Sequence, residues 1–498
     1  MTEYRPSEPA QSLTTRVVRG ALVKLLGGMP VQLIGILTTL LCFRVLTPAA
    51  YGSYGLAVAI YGFTDIFTNP SVSSYLIRQH DCSSHAINVA FTISAVRGIL
   101  LTPFFWLIAP ELASLFDGGP EVTGMLRILC LSFLFSGLNN LHVIRFHQEL
   151  KMGKVLLVES LGAFVGTLTT VAILYFYRTP LGLVLGSAVG AGLNMGLSWF
   201  LGPERARFVW DREELKRLWN FTRFLLINSL IIYALLNLDD LIVARLAGVA
   251  SLGVYAISYN LVNSALLFLV RPLRAIVLPA LARLKDNRAQ LTVATTSVLS
   301  TFSFISWAIC SSVWPVAEDL FRVLGHGDKW SEAVPVLRAL LPFVLIRGIN
   351  GSLGPLLLAL GKPKLLTMVS GPQLLLMVPL GWLGYSEYGF LGLVLAITLL
   401  NGLAMVGLVV ISSRYLDVSI PILFATMLLP MAAALLAGGV GTLLSGHFET
   451  ALAGLLGGLL GALITFALAW ELTCRMPLGA ISRRSILGLV QQIRGRGN

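Results

Sequence analysis

Four arginines of this 498-residue chain, Arg97, Arg271, Arg274 and Arg347, lie inside apolar stretches long enough to cross a bilayer. A charge at the middle of a membrane helix costs roughly 2.5–3.5 kcal/mol on insertion scales, so it persists where it is used. A guanidinium presents a planar fork of donors that grips phosphate oxygens in pairs. A low-dielectric surround strengthens that grip. These residues therefore suit an anionic ligand held in a cavity. The bland readings are a buried pair with an acid for Arg97 and Arg347, and snorkelling to the surface for Arg274. Arg223 and Arg338 sit at span ends and read as anchors.

Acids and amides at similar depth extend the set. Asp65 is central in its apolar run, and Asp239 and Asp240 lie near the end of another. Intramembrane carboxylates bind coupling protons or Na⁺ in transporters, and a fixed ion pair with a neighbouring arginine is the competing reading. Asn139, Asn140 and Asn350, with Asn260 and Asn263, could bond hydroxyl groups or join helices. No catalytic constellation is visible: there is no phosphate-binding Gly-Lys loop, no His-Glu-x-x-His and no nucleophile elbow. The six histidines form no metal pattern, and the five cysteines read as free buried thiols. The expectation is a non-enzyme with no metal and no cofactor beyond coupling to a proton or sodium gradient.

The elements that must hold these residues follow from composition. The chain is 56% hydrophobic and 12% charged, against about 25% charged residues in soluble proteins. So few charges could not cover a soluble globule of this length, whereas lipid solvates the outer face of a membrane protein. With about 20 apolar residues per span, fourteen candidates emerge: 20–43, 54–77, 87–109, 123–144, 155–177, 181–201, 221–244, 252–280, 291–316, 334–359, 365–385, 388–412, 420–444 and 450–473. With a cytoplasmic N-terminus, the inside segments hold 23 Lys and Arg and the outside loops 5. That bias places both termini in the cytoplasm. It also assigns the net charge of +12 to anionic headgroups rather than nucleic acid. The first 19 residues are polar and no cleavable signal is visible.

A short pattern occurs twice. Arg44, Gly52 and Tyr54 share their spacing with Arg245, Gly253 and Tyr255, 201 positions on. Both copies fall in tight turns between spans, which implies two parallel copies of a six-span bundle and structural corners rather than a substrate site. The expected organisation is an N-terminal cytoplasmic segment (1–19), an N-lobe (20–201), a cytoplasmic linker (202–220), a C-lobe (221–414), spans 13 and 14 (415–473) and a basic tail (474–498). The linker mixes acids and bases at helical spacing and reads as an amphipathic helix on the membrane surface, or as a docking site for partner proteins.

Several stretches resemble one family. Arg19-Gly20-Ala21, Arg44-Val-Leu-Thr-Pro48, Tyr51-Gly52 and Tyr54 are similar to the N-terminus of bacterial polysaccharide flippases, part of the multidrug/oligosaccharidyl-lipid/polysaccharide exporter superfamily. Asn237-Leu-Asp239-Asp240-Leu-Ile-Val-Ala-Arg245 resembles the end of the family's seventh span. Gly325-His-Gly-Asp-Lys329-Trp330 with Ala333-Val-Pro-Val-Leu337 resembles the loop into the tenth. The resemblance implies an all-α polytopic membrane protein of about fourteen transmembrane helices, with two six-helix lobes around a central cavity plus two C-terminal helices. It further implies a flippase in the bacterial inner membrane for exopolysaccharide, capsule or O-antigen (lipopolysaccharide) synthesis. The substrate would be a polyprenyl-pyrophosphate-linked oligosaccharide moved by alternating access, with membrane lipids and other polysaccharide-assembly proteins as partners. Arg97, Arg271 and Arg347 would then neutralise the pyrophosphate. Two alternatives remain. A cation-coupled exporter of drugs or metabolites predicts a cavity of carboxylates and aromatics. A membrane glycan polymerase or ligase predicts large polar outside loops.

Overall fold

The turns of the repeated pattern show how sequence sets the local structure. Helix α1 covers residues 37–45, and α2 spans Pro48–Thr68. Between them Thr47 caps α2 by accepting the Ala50 N–H at 3.2 Å, and Pro48 fills a first-turn position that needs no donor. In the second copy, α9 (Arg212–Ala247) stops at Gly248, whose φ of 88° lets the chain reverse into α10 (Val249–Leu284). The same corner is thus built by a Thr-Pro cap in one copy and by a positive-φ glycine in the other.

The protein is seen in a computed structural model that describes residues 34–69, 72–78, 83–149, 151–325, 328–447 and 450–474, residue 36 excepted. The expected segments 1–19 and 475–498, the start of the first span, and Arg19-Gly20-Ala21 lie outside the described residues. The remaining helices are α3 (Val72–Arg78), α4 (Ser84–Leu115), α5 (Pro120–Gly137), α6 (Ile144–Gln148), α7 (Met152–Tyr177), α8 (Leu181–Leu201), α11 (Arg288–Gly325), α12 (Ala333–Ala359), α13 (Pro363–Ser413), α14 (Ile420–Ser445) and α15 (Ala451–Cys474). No strand occurs among the described residues.

Nine of these helices are long and apolar enough to cross a membrane, or ten if the pair α5 and Leu141–Gln148, bent by 65°, forms one span. The 51-residue α13 is two helices. Gly389, with φ 62° and ψ −148°, breaks it, and a straight helix of that length would reach about 77 Å, more than twice a bilayer core. This is where spans 11 and 12 were expected, with only Ser386-Glu387 between them. The second expected span is interrupted at Asn69, which separates α2 from α3.

Packing divides the chain into two compact units between Gly253 and Val254. The helix expected to open the C-lobe, α9, therefore packs in the first unit, against α2, α3 and α4. Residues 202–211 are not helical. Helix begins at Arg212, where Asp211 accepts the N–H groups of Glu213 (2.9 Å) and Glu214 (3.3 Å). The polar end of the expected linker is the first part of a long continuous helix.

Candidate functional site: buried arginines in the two units

In the first unit Arg97 and Asp65 meet. Arg97 donates to the Asp65 carboxylate, to the Asp65 carbonyl (3.2 Å) and to Thr68 Oγ1 (3.0 and 3.2 Å). Asp65 and Thr68 stand three residues apart on α2, one turn of helix, so one guanidinium on α4 reaches both. Phe133 of α5 lies 5.7 Å below the guanidinium. The Arg97 side chain is 11% exposed, so this is an ion pair between neighbouring helices with its charges cancelled.

In the second unit Arg347 of α12 has different described partners. It donates to the Tyr259 hydroxyl and to Asn263 Oδ1 (3.2 Å), a pair one turn apart on α10. The guanidinium lies over the rings of Tyr259 (5.4 Å) and Phe343 (5.1 Å), a cation–π cradle that orients the fork. Arg271 and Arg274 belong to α10, but their side chains lie outside the described residues.

The amides divide in the same way. Asn140 is fully buried and committed to the backbone. Its Nδ2 donates to the Glu204 carbonyl (2.7 Å), its Oδ1 accepts the His142 N–H (3.2 Å), and its own N–H donates to Ser198 Oγ (2.9 Å). Asn139 and Asn350 each keep a buried Oδ1 with no hydrogen-bond partner among the described residues. Asp239, 4% exposed, and Asp240 are neighbours on α9. That helix packs on α2 where Tyr233 meets Phe63 edge-on at 5.0 Å.

The repeated turns meet each other. A Cβ on Gly52 would fall 1.8 Å from the Val249 carbonyl oxygen and 2.9 Å from the Gly253 nitrogen. A Cβ on Gly253 would fall 1.8 Å from the Pro48 oxygen and 2.9 Å from the Gly52 nitrogen. The contact is reciprocal. Tyr54 packs at 6.0 Å from Tyr51, and Tyr255 stacks at 6.0 Å on Tyr259. Arg44 is exposed, and Arg245 pairs with Asp117 at 2.9 Å rather than capping its own helix end.

The family of polysaccharide biosynthesis proteins matches residues 41–335. The chain belongs to this family. It is 21% identical over 392 residues to the lipopolysaccharide biosynthesis protein WzxC of Escherichia coli (strain K12), covering 78% of this chain and 79% of that one. Among solved structures it is similar to the lipid II flippase MurJ in an inward closed conformation, with a TM-score of 0.73 and 13% identity over 91% of this chain and 100% of the other. It is also similar to an inward-facing MATE multidrug resistance transporter, with a TM-score of 0.64 and 14% identity over 77% and 94%. The fold is that of this transporter group, and the chain is a multi-pass membrane protein.

Sequence reasoning missed a polar clasp on this family member. Glu204, in the segment after α8, is held by Arg145 and accepts from Ser84 Oγ at 2.7 Å. Asn88 Oδ1 accepts the Arg207 N–H (3.0 Å), Thr92 Oγ1 accepts the Val209 N–H (2.8 Å), and His85 joins Asp211 at 2.8 Å. The bond from Ser84 and then Arg145 hold the Glu204 carboxyl below its usual range; His85 and the Glu214 and Glu213 N–H groups do the same for Asp211. The sequence signal was the alternation of Asn88 and Thr92 on one face of α4, four residues apart.

Proposed function

We propose that this protein moves a polyprenyl-pyrophosphate-linked oligosaccharide across the bacterial inner membrane for exopolysaccharide, capsule or O-antigen assembly. The observation that carries the reading is its membership of the polysaccharide biosynthesis family over residues 41–335, and the likeness to a lipid II flippase fold supports it. Both termini then lie in the cytoplasm, on the side favoured by the basic residues. The protein works by alternating access, and the cytoplasmic clasp faces the assembly enzymes.

The two arginines take unequal parts. The described partners of Arg347 include the Tyr259 hydroxyl and the Asn263 amide, which pyrophosphate oxygens would displace as better acceptors. Arg97 is engaged by Asp65. A coupling proton or sodium ion bound at Asp65 would weaken that pair and free Arg97 for the headgroup, which couples substrate capture to ion entry. Arg271 and Arg274 remain further candidates for the headgroup, Asn139 and Asn350 offer acceptors to sugar hydroxyls, and Asp239 and Asp240 are the second candidate ion site. Deletion followed by locating lipid-linked repeat units tests the reading. Accumulation on the cytoplasmic leaflet is expected, whereas normal delivery to the outer leaflet would overturn it.

A further inference from the structure

Two helix hairpins, one in each unit, repeat the same cross-contacts at fixed offsets. In the first, α4 meets α5; in the second, α11 meets α12. Residues of α4 map onto α11 by adding 208, and residues of α5 onto α12 by adding 211. Thr102 Oγ1 donates to the Cys130 carbonyl (3.2 Å), and Cys310 Sγ, 208 on, donates to the Leu341 carbonyl (3.3 Å), 211 on. Gly98 packs so tightly on the Phe133 oxygen that a Cβ would come within 2.5 Å, and Ser306 Oγ bonds the matching Val344 oxygen at 3.3 Å.

The same mapping carries Trp106 to Trp314 and Arg127 to Arg338. Arg127 lies over the Trp106 ring at 5.5 Å, and Arg338 over the Trp314 ring at 5.7 Å. In both arginines Nε is buried and unpartnered. Neither makes a hydrogen bond or ion pair to another residue among the described residues. Both tryptophans are exposed, by 44% and 47%. Two guanidiniums in one geometry, each with a ring on one side and no anion, lack the same thing in each unit.

Their depth narrows what that is. Trp106 is nine residues before the end of α4 and Trp314 eleven before the end of α11, or about 14 and 16 Å along the axes. With 32 and 38 residues, both helices overrun a hydrocarbon core of about 30 Å. The pairs therefore fall near its border, at the depth where tryptophan settles and lipid phosphates lie. We infer that Arg127–Trp106 and Arg338–Trp314 are two equivalent stations, each binding the phosphate of a bilayer phospholipid, with the guanidinium donating to its oxygens and the indole packing beside it. The inference is independent of what the protein transports.

The test uses the full chain in nanodiscs that mix a phospholipid with a phosphate-free glycolipid. Lipids retained after release are counted by native mass spectrometry. Wild type should retain two phospholipids more than the double variant R127Q/R338Q, and each single variant should retain one fewer than wild type. Each station should weaken about tenfold, the scale of one charge-assisted bond. R127K/R338K keeps the charge and the fold, and should show an intermediate loss because the planar fork is gone. Unchanged phospholipid counts in R127Q/R338Q, or equal retention of the glycolipid, would overturn the inference. Added undecaprenyl pyrophosphate distinguishes the sources: displacement of both phospholipids at equimolar amounts would assign the stations to the transported lipid instead.

Discussion

Arg97 and Arg347 both sit in the body of a long helix, yet the two units treat them differently. Around Arg97 the sequence supplies an opposite charge, Asp65, and a hydroxyl one turn away. Around Arg347 the described partners are a phenol, an amide and two ring faces. A paired guanidinium has its charge cancelled in place, and freeing it requires something to happen to the acid. A guanidinium in an aromatic cradle is oriented but can still exchange acceptors. In the proposed mechanism one arginine takes a gated role and the other a standing one, although both looked alike as charges in apolar runs.

The largest expected effect breaks this contrast directly. Arg97→Ala strands the Asp65 carboxylate between helices and should destabilise the protein by roughly 3 kcal/mol, the scale for a broken buried pair. The unfolding temperature in detergent should fall, and adding Asp65→Asn should recover most of it. Were the single and double variants equally unstable, Asp65 would not be the partner that matters. Arg347→Gln leaves no such acid among its described partners, so it should fold with a change of about 1 kcal/mol. It should nonetheless abolish polymer export in a deletion strain. Normal export at normal expression would remove Arg347 from the proposed mechanism.

Much of the fold was legible because membrane helices announce themselves by length and apolarity. Even the break inside α13 was marked by Ser386-Glu387, three and two residues before Gly389. The doubled turn was legible as a symmetry, but the sequence could not show that Gly52 and Gly253 touch. Spacing fixes what a residue is near along the chain and leaves open what it faces. The same limit applies to Asp65 and Arg97. Each was identified as buried charge, and both an ion pair and separate roles fitted, because the choice rests on how α2 lies against α4. As isolated residues Arg338 reads only as a span-end anchor and Arg127 passes unnoticed. They become visible once Leu126-Arg127, Gly137 and Asn139 are set against Leu337-Arg338, Gly348 and Asn350, at a constant offset.

The amides sharpen the comparison at smaller magnitude. Asn140→Ala leaves the His142 N–H and the Glu204 carbonyl without their partner in a buried place, and should cost about 1–3 kcal/mol. Asn350→Ala removes an acceptor that is already unpartnered, so stability should be unchanged or slightly improved. Export should suffer more than stability in Asn350→Ala, and stability more than export in Asn140→Ala. Equal thermal shifts for the two would erase the division between committed and available amides.

The smallest effect concerns pH and the clasp after α8. Glu204 and Asp211 have carboxyls held below their ordinary values by Ser84 and Arg145 and by His85 with the α9 N–H groups. A depressed carboxyl contributes stability above its unfolded value and loses that contribution as pH falls through the folded one. The clasp should therefore hold from neutral pH down to the ordinary carboxylate range and loosen only below it. Hydrogen exchange of residues 202–211 after brief acid exposure should rise there, with α4 and α8 still protected. The effect should be small because both carboxylates are solvated and salt screens them. A rise already complete at pH 6, above the range in which these carboxylates take up protons, would remove Glu204 and Asp211 as the groups that hold the clasp.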